Sequence, residues 1–353
     1  MDAQPNQPRR GRGATDNPLN RFESLAYERD PDLSDDDSPS IKTQFLKDTS
    51  KSVLSKNASP DIPFQYSLNP YRGCEHGCIY CYARPTHEYL GFSAGLDFET
   101  RIMVKEDAPE LLRRELSSRT WEPQPIIVSG VTDAYQPIER TLQLTRRCLL
   151  VLQELRNPVS IITKNRLVAR DIDILADLAR DDAVQVAVSV TTLRSDLTRI
   201  LEPRTSLPSQ RLDTIRVLSG AGIPVAVMMA PMIPGLTDRE IPSVLEAASD
   251  AGATAASYVM LRLPHAVAPL FEQWLDQHMP DAKDKILNRV RGMRGGDLYR
   301  AEFGKRMRGE GIHADQIAQL FDVASRKCGL NKTSMDLSSA AFRRPGGDQL
   351  TLF

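Results

Sequence analysis

Three cysteines lie close together in the stretch Asn-Pro-Tyr-Arg-Gly-Cys-Glu-His-Gly-Cys-Ile-Tyr-Cys-Tyr-Ala-Arg, which runs from residue 69 to residue 84. They are Cys74, Cys78 and Cys81, and the whole chain has only five cysteines. Thiolates are soft ligands that suit zinc and iron–sulfur clusters. The spacing therefore predicts a metal site in this stretch, and the rest of the chain has to fold around it.

The number of ligands distinguishes between the possible metals. A structural zinc ion needs four ligands, and neither His76 nor His87 makes a recognised finger spacing with the cysteines. A [4Fe-4S] cluster held by three cysteines leaves one iron open to bind and reduce a small molecule. A disulfide is disfavoured because three close cysteines leave one unpaired and no secretory signal is recognisable. Three ligands therefore favour a catalytic iron–sulfur cluster.

Composition bounds the class of protein. With 353 residues and 41% hydrophobic content, the chain can bury one large core, as two small domains or as one barrel-like domain with extensions. No apolar run approaches the length that crosses a bilayer, so we expect a soluble cytoplasmic protein without a membrane partner. The net charge of -1 excludes no class of partner.

Strand-like and helical patterns alternate over most of the chain. A strand is expected at 62–68, a second extended segment at 98–105 and a helix at 108–118. Further apolar, strand-like runs are expected at 126–131, 159–163, 184–191, 223–231 and 254–261. Helices are expected to begin between them near residues 138, 169, 209 and 238. This pattern indicates six parallel strands covered by helices, with ligands at the carboxyl ends of the strands.

The two ends of the chain differ from this middle part. Residues 1–60 are polar with little apolar periodicity, which predicts a disordered arm. Residues 264–333 are expected to form a basic helical extension, because positions 283 to 308 contain nine Lys or Arg and only three acidic residues. These cations either neutralise nucleic-acid phosphates or form a solvated surface. Residues 334–353 are expected to be a flexible tail.

The arrangement Cys-x-x-x-Cys-x-Tyr-Cys, with Tyr80 before the last cysteine, resembles the signature of the radical S-adenosylmethionine (SAM) superfamily. The Tyr-Cys-Tyr ending and segments between residues 63 and 263 resemble the spore photoproduct lyase branch, which is DNA repair photolyase-like. The resemblance implies a partial (β/α)6 TIM-like barrel over residues 61–263. It also implies a [4Fe-4S] cluster at which SAM is reductively cleaved to a 5′-deoxyadenosyl radical, and an electron donor such as flavodoxin or ferredoxin.

The resemblance further implies which residues contact SAM at successive strand ends. Thr132, in Ser-Gly-Val-Thr-Asp after the second barrel strand, would meet the methionyl amine, and Lys164 would pair with the carboxylate. The remaining expected contacts are Ser189 with the ribose, Ala230 with the adenine, and Tyr80 and Tyr82 near the adenosyl group. Each residue also has a structural alternative, since hydroxyls often satisfy backbone amides and a lysine is often solvated.

A hydrogen-atom donor is harder to assign. Spore photoproduct lyase uses a cysteine near the end of its second strand, and the matching position here is Gly130. Tyr82, Tyr135 and Cys328 are the alternative donors, although Cys328 and Cys148 lie at helical spacings that favour core packing. A separate expectation is that Glu202 forms a structural ion pair with an arginine.

Two hypotheses of function follow from these residues. The first is a radical SAM enzyme, lyase-like, that acts on nucleic acid or another anionic substrate in repair. The second is an adaptor that keeps the cluster as a structural element or redox sensor without radical chemistry. The final residues, Gln349 to Phe353, resemble the short peptide by which repair proteins dock on the sliding clamp, and packing of the same residues on the protein's own surface is the alternative.

Overall fold

The computed structural model describes residues 8–23 and 41–344. The strands in these ranges are β1 (Gln44–Lys47), β2 (Leu54–Lys56), β3 (Tyr66–Leu68), β4 (Tyr71–Arg72), β5 (Arg101–Val104), β6 (Ile126–Val128), β7 (Val159–Thr163), β8 (Val184–Ser189), β9 (Val225–Met232) and β10 (Ala255–Met260). The helices are α1 (Leu96–Thr100), α2 (Ala108–Ser117), α3 (Glu139–Leu142), α4 (Leu144–Leu155), α5 (Ile172–Ala179), α6 (Ser195–Leu201), α7 (Pro208–Gly220), α8 (Ile241–Asp250), α9 (Val267–His278), α10 (Pro280–Gly292) and α11 (Ile312–Lys327). Short 3-10 helices lie at Arg84–Leu90, Arg166–Asp171 and Asp238–Glu240.

The larger sheet in the described ranges has seven strands in the order β10-β9-β8-β7-β6-β3-β2. Neighbours from β3 to β10 pair in parallel, which makes six parallel strands, and β2 pairs antiparallel with β3 at the edge. The apolar runs in the sequence account for this, since Val159, Ile161 and Val186 are fully buried. The expected α/β fold with a partial (β/α)6 barrel is confirmed.

Amphipathic helices cover the sheet. Leu112 and Leu116 on α2 and Leu149 and Leu152 on α4 are fully buried in the main core. A fully buried leucine contributes roughly 1.5–3 kcal/mol relative to an exposed one, so this layer is a large part of the stability. Because the strands run parallel, their carboxyl ends meet at one edge, and the loops that follow them lie together there.

A second sheet carries the cysteine stretch. It has three strands in the order β1-β5-β4, with β1 parallel and β4 antiparallel to β5. The extended segment expected at 98–105 is wrong for its first three residues, 98–100, because they belong to the helix α1, which precedes β5. The Thr100 hydroxyl donates to the carbonyl of Leu96 at 2.7 Å within this helix. β4 ends at Arg72, so the cysteines begin two residues after a strand that β5 holds in place.

The expectation of a disordered arm over residues 1–60 is wrong for the parts that the structure describes. Residues 44–47 and 54–56 form β1 and β2, and Ala14 is 1% exposed. The backbone N–H groups of Gly13 and Ala14 donate to the carboxylate of Glu99 at 3.0 Å and 2.8 Å. Hydrogen bonds to a distant buried carboxylate order this segment, and such bonds leave no apolar periodicity in the sequence. The remainder of the expected arm, residues 1–7 and 24–40, lies outside the described residues.

The expected flexible tail is also corrected where it is described. In residues 334–344, the N–H of Ser338 donates to the carbonyl of Asp182 at 2.9 Å, and the N–H of Arg343 donates to the carbonyl of Leu155 at 2.9 Å. This part of the tail therefore lies against the barrel helices. The clamp-like peptide, Gln349 to Phe353, falls outside the described residues. Among the helices within 8–23 and 41–344, none has the length and apolar character that crossing a membrane requires.

Candidate functional site

The cysteine loop leaves β4 and ends at the 3-10 helix Arg84–Leu90. Cys74 and Cys78 are buried and Cys81 is partly exposed. The loop is held through its backbone, because the N–H of Cys74 donates to the carbonyl of Phe98 at 2.9 Å and the N–H of Ile79 donates to the carbonyl of Leu201 at 3.2 Å. Two helices thus fix its position: α1, which follows the loop in the chain, and α6, which follows the fourth barrel strand.

The donor set of this loop fits an iron–sulfur cluster. The three thiols are free of disulfides. Burial raises the pKa of the Cys78 and Cys81 thiols, and the neighbouring thiols raise it further. Such thiols become thiolates when they coordinate a metal. Within the described residues, no group of three or more His, Cys, Asp or Glu side chains is placed to hold a single metal ion. A cluster instead distributes its cysteines over several irons.

A buried ion pair stands behind the loop, and the sequence did not reveal it. Arg84 donates to the carbonyl of Cys78 through Nε at 3.1 Å and Nη2 at 2.9 Å. Its Nη2 also lies 2.5 Å from the carboxylate of Glu99, and both side chains are fully buried. Gly13 packs against the same loop, since a Cβ added there would lie 1.8 Å from the carbonyl oxygen of Gly77. The N-terminal segment therefore covers the outer side of the cysteine loop.

His76 joins the loop to the barrel and is not a candidate ligand. Its Nδ1 lies 3.4 Å from the carboxylate of Asp133, and its Nε2 lies 3.1 Å from the amide nitrogen of Asn165. Burial opposes protonation of this ring, but the charges and hydrogen bonds of Asp133 and Cys74 together outweigh burial and raise the pKa of His76 to about 10. Asp133 also accepts from the Thr163 hydroxyl at 2.8 Å and from the N–H of Lys164 at 2.8 Å. The carboxyl ends of β6 and β7 are thereby tied to the loop.

Thr132 has a structural contact in this arrangement. Its hydroxyl donates to the carbonyl of Gly73 at 2.7 Å and accepts from the amide of Gln136 at 3.2 Å. Gln136 in turn accepts from the N–H of Glu75 at 2.9 Å. Thr132 therefore braces the residue that precedes the first cysteine, and its contact with the methionyl amine stays a prediction.

Lys164 and Glu202 form the centre of a second buried polar cluster. The Nζ of Lys164 donates to the carbonyl of Ala230 at 2.6 Å and lies 3.7 Å from Glu202. The hydroxyl of Tyr80 donates to Glu202, and Arg211 pairs with the same carboxylate. Burial alone would raise the pKa of Glu202, but Arg211 and Lys164 lower it to about 2. The expected pair of Glu202 with an arginine is confirmed.

These contacts bring several of the expected SAM residues together. Lys164, Ala230 and Tyr80 belong to one cluster, and the Lys164 ammonium lies 5.9 Å from the centre of the Tyr80 ring. Ser189 is buried beside them, and its carbonyl accepts from Arg211 at 2.9 Å. The structure thus places these residues at adjoining strand ends, while their contacts with SAM stay predictions.

Tyr82 and Gly130 are in direct contact. Tyr82 is 47% exposed, and its hydroxyl donates to the carbonyl of Gly130. The guanidinium of Arg262 lies 4.3 Å from the centre of the Tyr82 ring. A Cβ at Gly130 would find ordinary contact distances, the nearest being 3.6 Å to Ser67, so this position has room for a side chain. Tyr82 therefore contacts the position that the sequence resemblance matched to the lyase's cysteine, and its role as a hydrogen donor stays a prediction.

Tyr135 does not share this location, which corrects its assignment as a hydrogen donor. Its side chain is fully buried in the main core, and its hydroxyl donates to the carboxylate of Asp171 at 3.1 Å. Cys328 lies at the end of α11, where its carbonyl accepts from the Ser249 hydroxyl at 2.8 Å. Cys148 is 1% exposed in the core, as its spacing indicated. Among the three proposed donors, Tyr82 is the one beside the cysteine loop.

The basic segment, residues 283–308, has fewer unpaired cations than its composition suggested. Within the described residues, six of its nine cations are paired with carboxylates drawn partly from elsewhere in the chain: Lys283 with Asp276, Arg289 with Asp238, Arg291 with Glu272, Arg300 with Glu310, Lys305 with Glu302 and Arg306 with Asp61. The excess of positive charge read from the sequence is therefore largely compensated in the fold.

The sheet of six parallel strands and the three-cysteine loop define an enzyme class that works with a cluster and SAM. The family model of the radical SAM superfamily matches residues 68–248. The chain belongs to the radical SAM superfamily. Membership implies a [4Fe-4S] cluster and SAM as cofactors.

Two kinds of relative are similar to this chain. An uncharacterised protein of Mycobacterium tuberculosis is 38% identical over 254 residues, which are 71% of this chain and 72% of that protein. An uncharacterised protein of Methanocaldococcus jannaschii is 27% identical over 249 residues, which are 70% and 89% of the two chains. Among solved structures, spore photoproduct lyase complexed with dinucleoside spore photoproduct matches with a TM-score of 0.57 at 15% identity, over 81% of this chain and 80% of that one. At this identity the match shows a shared fold.

Proposed function

We propose that this protein reductively cleaves SAM at a [4Fe-4S] cluster on Cys74, Cys78 and Cys81, and that it uses the resulting radical on nucleic acid in repair. The observation that carries the proposal is the set of three free thiols on one loop, two of them buried, which is braced at the carboxyl ends of the parallel strands. When bound, the cluster would supply the electron that cleaves SAM to a 5′-deoxyadenosyl radical. An electron donor such as flavodoxin or ferredoxin would supply that electron.

The polar cluster around Glu202 supports the binding of SAM. Glu202 is ionised and holds Lys164 at the carboxyl end of β7, with its ammonium beside the Ala230 carbonyl. Lys164 would give SAM a charged partner for its carboxylate, and Tyr80 would border the adenosyl group. Thr132 and Ser189 would complete the contacts. Arg211 also pairs with Glu202. The Lys164 ammonium could therefore bind the SAM carboxylate, because Glu202 would still have Arg211 as its partner.

Tyr82 is the residue we propose as the hydrogen-atom donor. It is half exposed, it follows the last cysteine, and its hydroxyl contacts the Gly130 carbonyl. A tyrosine in this place would take the role for which the resembling lyase uses a cysteine. The likeness of fold to a lyase solved with a dinucleoside spore photoproduct supports a nucleotide-containing substrate for this chain as well.

Anaerobic reconstitution followed by an assay for 5′-deoxyadenosine tests the proposed function. The cluster-loaded protein is expected to form 5′-deoxyadenosine from SAM when a strong reductant is added. The variant Lys164→Ala is expected to keep the cluster, because it retains the three cysteines, and to form less 5′-deoxyadenosine than the wild type. An intact cluster without any 5′-deoxyadenosine would refute the enzyme and support the adaptor hypothesis.

A further inference from the structure

Three arginines are almost fully buried in the described part of the chain: Arg84, Arg211 and Arg294. Arg84 pairs with Glu99 and Arg211 pairs with Glu202, so a buried carboxylate neutralises each of these two charges. Arg294 forms no ion pair with residues 8–23 or 41–344, and its only hydrogen bond there goes to a backbone carbonyl. A buried charge without a counterion is costly, so packing alone does not account for Arg294.

A second unpaired arginine adjoins it at the carboxyl end of β10. The carbonyl that accepts from Nη2 of Arg294, at 2.6 Å, belongs to Leu261, and the next residue is Arg262. Arg262 is partly exposed, and its charge lies over the ring of Tyr82 without an ion pair to any described carboxylate. Burial, and then the charge of Arg262, lower the pKa of Arg294 to about 10. Two like charges are therefore held close together beside the cysteine loop.

The carboxylate that could compensate them is engaged elsewhere. Asp61 lies within electrostatic reach of Arg262. However, Asp61 accepts from the N–H of Gly304 at 2.7 Å and pairs with Nε of Arg306 at 2.6 Å. The described residues thus leave both Arg262 and Arg294 without a counterion. An anion from outside the protein would remove the repulsion between the two guanidiniums.

We propose that Arg262 and Arg294 together bind an oxyanion of the substrate, namely the phosphate of a nucleotide unit. Guanidinium groups suit this role because their planar forks make paired, charge-assisted hydrogen bonds to oxyanions. Since Tyr82 follows Cys81 and lies under Arg262, the bound phosphate is held next to the cysteine loop. In calling this ligand the substrate, the inference rests on the proposed function. Both arginines lie outside residues 68–248, so the superfamily model does not account for them.

Calorimetric titration of the cluster-loaded protein, without reductant, tests this site. The ligands are the dinucleotide TpT, thymidine as the phosphate-free control, and SAM. Arg262→Met and Arg294→Met are expected to weaken TpT binding about tenfold or more, because each loses a charge-assisted contact, and to leave thymidine and SAM binding unchanged. Arg291→Met is the matched control, since Arg291 lies on α10, is 41% exposed and has Glu272 as its partner at 3.9 Å. TpT binding by this control is expected to equal that of the wild type.

Three results would overturn the proposal. The first is equal affinity for TpT in the wild type, Arg262→Met and Arg294→Met. The second is a loss of TpT affinity in Arg291→Met as large as that in the two test variants. The third is a loss of SAM affinity in place of TpT affinity, which would assign the arginines to the SAM carboxylate. Because no step of this titration needs SAM cleavage, a failure of the proposed chemistry is distinguishable from a failure of the site.

Thermal unfolding separates binding from a structural role. Replacement of an unpaired buried charge by an apolar side chain is expected to keep or raise Tm, so Arg294→Met is expected to melt no lower than the wild type. TpT is expected to raise the Tm of the wild type and not that of Arg294→Met. If Arg294→Met fails to fold, Arg262→Met decides, because Arg262 is partly exposed and its replacement leaves the core intact. Stabilisation of the Arg262→Met protein by TpT to the wild-type extent would refute the site.

Discussion

The guanidinium of Arg84 and the carboxylate of Glu99 form an ion pair at 2.5 Å, fully buried behind the carbonyl of Cys78. The same carboxylate accepts two backbone hydrogen bonds from Gly13 and Ala14. One carboxylate therefore connects the cysteine loop to the N-terminal segment. The loop that would hold the cluster depends on a segment of chain whose sequence gives no sign of order.

Glu99→Ala is expected to lower the free energy of unfolding by about 3–5 kcal/mol, because it leaves the charge of Arg84 buried and unpaired. Denaturant titration measures this change. Glu110→Ala is the matched control: Glu110 pairs with Arg147 on the surface, where such pairs contribute about 0–1 kcal/mol. Equal losses in the two variants would show that the buried pair has no special role.

Gly13→Ala is expected to reduce cluster loading on reconstitution. The added methyl group would lie 1.8 Å from the carbonyl oxygen of Gly77, so the N-terminal segment or the cysteine loop has to move, at a cost of about 1–3 kcal/mol. Iron content and visible absorbance report the loading. Gly220→Ala, where nothing lies within 4 Å of the added Cβ, is expected to load as the wild type does. Full loading of the Gly13→Ala protein would show that the contact is dispensable.

Lys164→Ala is expected to weaken SAM binding by about 1.5–3 kcal/mol, because a charge-assisted contact to the carboxylate is lost. Calorimetry on the cluster-loaded protein gives the affinity. Lys285→Ala removes an exposed lysine that has no carboxylate partner in the described ranges, and its SAM affinity is expected to match the wild type. If both variants bind SAM equally well, Lys164 serves only to hold Glu202.

Binding of single-stranded or duplex DNA is expected to show a moderate salt dependence. Three cations of the basic segment, Lys285, Arg294 and Arg308, have no ion pair among the described residues, so about three phosphates are neutralised. The slope of log K against log salt is then about -2 to -3. A slope twice as steep would mean that the surface ion pairs open on binding. A flat dependence would remove nucleic acid as a substrate.

The sequence predicted the barrel well because its strands are short, mostly apolar runs separated by helical patterns. The run at 159–163 coincides with β7, in which Val159, Ile161 and Thr163 on one face are buried and the two residues between them are partly buried. Apolar patterns could not predict that residues 8–23 are ordered, because this segment is held by hydrogen bonds to Glu99, which lies far along the chain. Tyr135 was one of three alternative hydrogen donors, and only the fold shows that its side chain lies in the core. Arg294 left no local signal, because its lack of a partner is a property of the packed structure.

The cluster itself gives the most direct test of the account. Wild type, Cys78→Ala and Cys148→Ala would be reconstituted anaerobically, and iron and sulfide per chain and the visible spectrum would be measured. We expect one [4Fe-4S] cluster in the wild type and in Cys148→Ala, because Cys148 lies in the apolar core, and no stable cluster in Cys78→Ala. Loss of the cluster in Cys148→Ala to the same extent, or its retention in Cys78→Ala, would contradict the assignment of the cysteine loop.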